Sequence, residues 1–205
     1  MKKTRVLLLI TSGLITFAQG CTAQKAKPTG FLSDYSHLRP ESDVRARYVA
    51  QDVQFAKYTG FIIDPVQIHL HTGSKAKLTP AEEAELTTYM YDAIVKSLKA
   101  GNYSVVQTPG PGVARLCMAL TDIKKSKIAQ NILPQTKLVG TGLGGASMEA
   151  ELLDSQTQRQ LVAVVESQLG NRLSLDGLST WGDAKAIMDE WAARFRERLD
   201  KIHGL

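Results

Sequence analysis

The hydrophobic positions of this chain follow two periods, and the places where one gives way to the other mark out its elements. Between Thr79 and Gly101 the period is helical. Leu86, Met90, Ala93 and Leu98, with Tyr89 and Ile94 beside them, form one apolar face. Thr79 and Glu82 make a T-x-x-E capping box, Pro80 takes the first helical position, and Gly101 ends the run. A second helix is predicted from a cap near Ser179 or Thr180 to Gly204. There Ile187, Trp191, Phe195, Leu199 and Ile202 recur at helical spacing, with Arg194, Arg196, Arg198 and Lys201 largely elsewhere on the circumference.

Elsewhere the period is two. In FIIDPVQIHLH, residues 61–71, Val66, Ile68 and Leu70 alternate with Gln67, His69 and His71, and Pro65, lacking an N–H, suits an edge, a bulge or a strand's start. NYSVVQ is a short strand. VARLCMALTDI is a longer, central one, in which Leu116, Met118 and Leu120 alternate with Cys117 and Ala119. SMEAELLD and QLVAVVESQL flank DSQTQR and predict a hairpin, with Met148, Ala150 and Leu152 against Glu149 and Glu151 in the first arm. In the second arm Leu161, Ala163 and Val165 alternate with Val162, Val164 and Glu166.

Two regions resist assignment. FLSDYSHLRPES is rich in turn formers, and the RARYVAQDVQFAKY that follows fits neither period. The connection from Lys124 to Gly145 is long for a compact domain, so it is either a loop with a role or the cover for a further strand near TKLVGTG. The predicted order is β-α-β-β-β-β-α. This is an α+β domain with a mixed or mainly antiparallel sheet of about five strands and two helices packed on one face.

The N-terminus changes the picture more than composition does. MKKTR followed by VLLLITSGLITF reads as the basic and apolar parts of a secretory signal, the apolar run being short for a bilayer span. In AQGC, Gly20 before Cys21 is similar to the lipobox of bacterial lipoproteins, which predicts a signal over residues 1–20, lipid on Cys21, a tether over 21–30 and one domain over 31–205. Ala18 and Gly20 also satisfy ordinary signal peptidase, which would give a soluble periplasmic or secreted product instead. Thr22, in place of Asp, favours the outer membrane with the domain in the periplasm. Removing Lys2, Lys3 and Arg5 with the signal lowers the formal net charge from +5 to +2. No lysine-arginine cluster interleaved with aromatics remains, so no nucleic-acid partner is expected.

Candidate chemistry is sparse. GTGLGG, residues 140–145, matches G-x-G-x-x-G, but a dinucleotide loop needs a strong strand before it and a helix after it. Neither is predicted here, and no cofactor or dinucleotide is expected. The glycines, Gly142, Gly144 and Gly145 among them, read as a loop of close packing or unusual dihedrals. His69 and His71 share a strand face and are weak metal candidates without a third ligand. Glu149 and Glu151 share a face as paired carboxylates can, though exposed glutamates on a hairpin are commoner. Cys117, unpaired, reads as a small hydrophobe in a strand.

TGFLSDYSHL, FIIDPVQIH, GPGVARLCMALTD, GGASMEAELLDSQT and WGDAKAIMDEWAARFRERLD, in this order, resemble the bacterial lipoprotein family catalogued as domain-of-unknown-function family 3313. Gln158 stands where that family's hairpin turn usually has Gly, and Cys117 where a basic or polar residue is usual. The resemblance implies an exported lipoprotein of unassigned activity and supplies no catalytic residues. The expected role is a non-enzymatic binding or accessory component that meets the membrane through lipid on Cys21 and an envelope protein through a surface near Glu149, Glu151, Gly142, Gly144 and Gly145. The alternatives are a periplasmic hydrolase or metal enzyme built on His69, His71 and the glutamates, and a self-assembling envelope component.

Overall fold

The computed structural model describes residues 27–132, 142–171 and 174–205. The signal, Cys21 and most of the tether lie outside these residues, as do residues 133–141, where the further strand was weighed. The hairpin is β7 (Gly145–Asp154) and β8 (Gln160–Leu169), and β7 pairs antiparallel with the longest strand, β6 (Val113–Lys124). On its other side β6 runs parallel to β3 (Gly60–Ile63) and β4 (Gln67–Ile68), and β5 (Ser104–Val105) closes that edge. Beyond β8 come β2 (Arg45–Val49) and β1 (Arg39–Ser42), both antiparallel. The sheet order is β1-β2-β8-β7-β6-β3-β5, with β4 continuing alongside β6.

The first helix, α1 (Pro80–Ala100), forms for the reasons its sequence gives. The Thr79 hydroxyl accepts from Glu82 N at 3.3 Å, the Glu82 carboxylate accepts from Thr79 N at 2.9 Å, and Gly101 caps the other end. Ile94 rather than Ala93 completes the buried stripe with Leu86, Met90 and Leu98. A single turn, α2 (Ile128–Ile132), occupies part of the long connection, and α3 (Gly182–His203) ends at Gly204 in the left-handed region, φ 73°. Both long helices pack on one face of the sheet, in a core shared with Leu116, Met118 and Leu120 of β6 and Met148, Ala150 and Leu152 of β7.

The architecture is the predicted α+β one, with eight strands where about five were expected and a third, short helix. RARYV is β2, which looked ambiguous because its arginines alternate with Ala46 and Tyr48 on an edge-side strand that is half-buried throughout. FIIDPVQIHLH splits in two at Asp64 and Pro65. Past Ile68 the chain leaves regular pairing next to a bulge in β6 between Leu120 and Asp122, so the period of two is lost: Leu70 is exposed and His71 is buried. Ile202, placed on the buried stripe of α3, is 41 % exposed.

At the hairpin turn Gln158 adopts φ 59°, so the left-handed geometry that glycine would supply is kept without it. Asp154 fastens the turn. One carboxylate oxygen accepts from Thr157 N at 2.9 Å and Gln156 N at 3.1 Å, and the other from the Tyr58 hydroxyl at 2.7 Å. These bonds, the Thr157 amide first, hold its pKa down at about 2 against an ordinary 3.8. In that window the unfolded chain binds a proton that the folded one does not. The stabilisation is therefore full above the ordinary value and is lost as pH falls toward about 2. Asp154→Asn is expected to flatten the acid limb of the melting temperature against pH between those values. An unchanged limb would mean that the turn bonds carry no differential stability.

Candidate functional site

Alternation along β7 puts Glu149 and Glu151 on the face away from the helices, yet neither is at the surface. Glu149 is 0 % and Glu151 6 % exposed, which corrects the expectation of exposed hairpin glutamates. The segment before β1 lies across them. Glu149 accepts from Thr29 N at 2.5 Å and from the Tyr35 hydroxyl. Glu151 accepts from Ser33 N at 3.0 Å, Ser33 Oγ at 2.6 Å and Gln160 Nε2 at 2.8 Å. Tyr35 Oη in turn accepts from Gly30 N and Leu32 N, and Leu32 packs on Ala163 and Val165 of β8. Burial, and then the Glu149 carboxylate, raise the Tyr35 pKa, so the phenol stays a donor. The last residues assigned to the tether thus belong to the domain. Two buried carboxylates, which would be costly if left unpaired, are satisfied by a strap of the chain itself.

The other sequence candidates scatter. His69 is exposed, with its Nδ1 3.1 Å from Thr29 Oγ1 and its ring against Phe31, whereas His71 is buried with Nε2 3.6 Å from Asp122. Among the described residues no three His, Cys, Asp or Glu side chains are grouped to hold a metal ion. Cys117 is half-buried and donates to Asp64 at 3.3 Å. Burial, followed by Asp64, pushes its pKa up to about 12, which keeps it a thiol rather than a nucleophilic thiolate. Gly145 opens β7, so a strand follows the glycines where a pyrophosphate loop needs a helix. Gly144 N donates at 2.7 Å to Asp183, buried in the first turn of α3, and a Cβ there would lie 2.6 Å from Ser126 Oγ and 2.8 Å from Lys124 O. Close packing explains that glycine.

What the sequence did not single out is on the helix side. Two helices about 10 Å apart cover about 20 Å, while the seven strands of the main order, at about 4.8 Å spacing, span about 29 Å. Part of the face must stay bare. Val162 and Val164, which point to the helix side of β8, are only half-buried, whereas Ala163 and Val165 beneath the strap are buried. Between α3 and strands β2, β8 and β7 a cavity of about 280 Å³ remains, walled by Val49, Val162, Val164, Met148, Trp191 and Phe195. Ile202, the misplaced residue of the α3 stripe, lies at its exposed mouth.

Around this apolar interior stand Arg47, Arg194, Arg198 and Lys201. One buried carboxylate faces them. Glu166 accepts from Arg45 through both oxygens, at 2.9 and 2.8 Å, and from Arg194 at 2.9 Å. Burial raises its pKa and Arg45 pulls the other way. A signal was present in the sequence: Arg194, Arg198 and Lys201, at helical spacing beside Phe195 and Ile202, set a basic ridge along an apolar one.

The family model described as "Protein of unknown function (DUF3313)" matches residues 27–195, nearly the whole described domain. The chain belongs to this family. No curated protein matches it. Similar solved structures include the PelC dodecamer from Paraburkholderia phytofirmans, at 12% identity over 78% of this chain and 95% of that one, TM-score 0.44. The hypothetical protein CT253 from Chlamydia trachomatis is 11% identical over 69% and 98% of the two chains, TM-score 0.44. Protein XCC0632 from Xanthomonas campestris is 11% identical over 70% and 88%, TM-score 0.41. At these identities and scores none of them bears on what this family member binds.

The strap is testable by itself. Glu149→Gln leaves the shape but weakens two charge-assisted bonds, and a loss of about 2 kcal/mol in stability is expected. Hydrogen exchange at the amides of Gly30, Leu32 and Ser33 should quicken while α1 stays protected. Unaltered exchange at those three amides would contradict the clamping role given to Glu149.

Proposed function

We propose that this family member is a non-enzymatic binding component of the bacterial cell envelope, with lipid on Cys21 as its anchor and the cavity between α3 and the sheet as its binding site. The cavity is the observation that carries the reading. It is apolar inside and basic at the rim, the usual composition of a small-molecule site, and its volume of about 280 Å³ lies just below the range of about 300–1,000 Å³. The paired glutamates, by contrast, hold the strap and offer no open cleft. The anchor rests on the basic and apolar N-terminus and on Gly20 before Cys21. With the strap fixed from Thr29, seven residues separate Cys21 from the domain, a reach of at most about 29 Å. The domain would therefore work next to the membrane surface. Two or more acyl chains on one cysteine suffice for stable anchoring.

Two measurements check the two halves separately. Intact mass of the N-terminal peptide from separated membranes is expected to show a diacylglyceryl and acyl increment on Cys21 in the outer-membrane fraction, absent from a Cys21→Ala variant. An unmodified terminus in the soluble fraction would remove the anchor. For the site, the neutral apolar dye N-phenyl-1-naphthylamine is expected to brighten on binding the mature chain. Val164→Phe, which fills the cavity, should weaken that binding at least tenfold and shift the melting temperature by only a few degrees. Equal dye binding by both proteins would rule out the cavity as the site.

A further inference from the structure

Five cations gather near the cavity mouth, and two carboxylates answer three of them. Arg47 pairs with Glu41, and Arg45 and Arg194 pair with Glu166. Among the described residues, no carboxylate lies within salt-bridge distance of Arg198 or Lys201. The other acidic residues along α3 are engaged elsewhere. Asp200 pairs with Arg196 and accepts from the Tyr103 hydroxyl, Glu190 accepts from Gln168, and Glu197 lines a separate groove with Glu190 and Arg194.

Arg198 is the more telling of the two. Though the residue is exposed, its pKa is pushed below the ordinary value, first by loss of solvent and then by the charges of Arg47 and Arg45. A guanidinium held among other cations at the opening of an apolar hole is an arrangement that an anion would relieve. The hole suits a slender tail. Its volume of about 280 Å³ lies just below the about 300–1,000 Å³ of drug-sized sites, so a single acyl chain matches it better than the two chains of a phospholipid. Leu116, Met118 and Met148 of the core line the hole, so the tail would lie against buried apolar side chains.

We propose that the occupant is a fatty acid, its acyl chain between Val164 and Phe195 and its carboxylate on Arg198, with Arg47 beside it. This rests on the reading that the cavity is the binding site, and it adds the ligand class. The planar guanidinium presents two parallel N–H donors to a carboxylate, which the ammonium of a lysine cannot do.

The test uses the whole mature chain with Cys21→Ser, so that no acyl group of its own competes, and follows binding calorimetrically well below micelle formation. Decanoate is expected to bind at least tenfold more tightly than 1-decanol. Affinity should rise about fourfold per methylene from hexanoate to decanoate. Arg198→Gln should abolish the preference for decanoate over decanol, and Arg198→Lys should restore only part of the preference.

Equal binding of decanol and decanoate would overturn the carboxylate assignment and leave the cavity reading standing. Loss of dye binding in the parent protein would overturn both. Tighter binding of lysophosphatidylglycerol than of any fatty acid would replace the carboxylate with a phosphate head and so contradict the proposal. So would a stable dimer in light scattering that neither binds decanoate nor takes up dye, since a second copy would then be the occupant.

Discussion

A sheet of this width cannot be covered by the two long helices the chain provides, and the rest of the molecule is arranged around that shortfall. Both helices sit where the core is deepest, over β6 and β7 and the parallel strands beside them, and α1 forms the crossover that the parallel pairing of β3 and β6 requires. The antiparallel extension through β8, β2 and β1 then projects beyond the helix layer. Its outermost strand, β1, is exposed throughout and carries Arg39, Pro40 and Glu41, charges and a proline that discourage pairing with a further strand. The inner part of the extension, β8 and β2, keeps valines on the helix side that nothing fully covers. The cavity and its arginines occupy this uncovered strip.

The opposite face solves the same problem differently. Among the described residues no helix layer lies there, and the chain covers the centre of the sheet with its own N-terminal segment. That segment has few large side chains to bury, since Leu32, Phe31, Tyr35 and Leu38 are its apolar contribution. Its backbone amides and hydroxyls are instead paired with Glu149 and Glu151. A buried carboxylate is stable only with donors around it, and the strap is stable only with acceptors beneath it, so each provides what the other lacks. The described chain therefore enters the domain on the face away from the cavity.

The sequence made legible whatever was decided locally. The capping box at Thr79 and Glu82, the stop at Gly101 and Gly204, the central character of β6 and the hairpin of β7 and β8 all follow from residues within a few positions of one another. What it hid depended on partners far along the chain. Glu149 and Glu151 look like a solvent face until Thr29, Ser33 and Tyr35, more than a hundred residues away, are laid over them. His69 and His71 look like one face because the bulge in β6 beside which the pairing ends lies far along the chain, between Leu120 and Asp122. The cavity was least legible of all. Its lining reads as ordinary core pattern in α3 and β8, and only the mismatch in width between helix layer and sheet leaves it empty. The exposed Ile202 and the half-buried Val162 and Val164 record that mismatch.

The strip between α3 and β8 stands or falls as a ligand site on direct sight of its occupant. The most direct measurement is a crystal structure of the mature protein grown with a fatty acid brominated at the end of its chain, with the bromine located by anomalous scattering. A single bromine peak deep between Val164 and Phe195, with density for a carboxylate at Arg198, is the predicted result. A bromine found only on the outer surface, with the cavity filled by ordered water or collapsed onto Phe195, would contradict it.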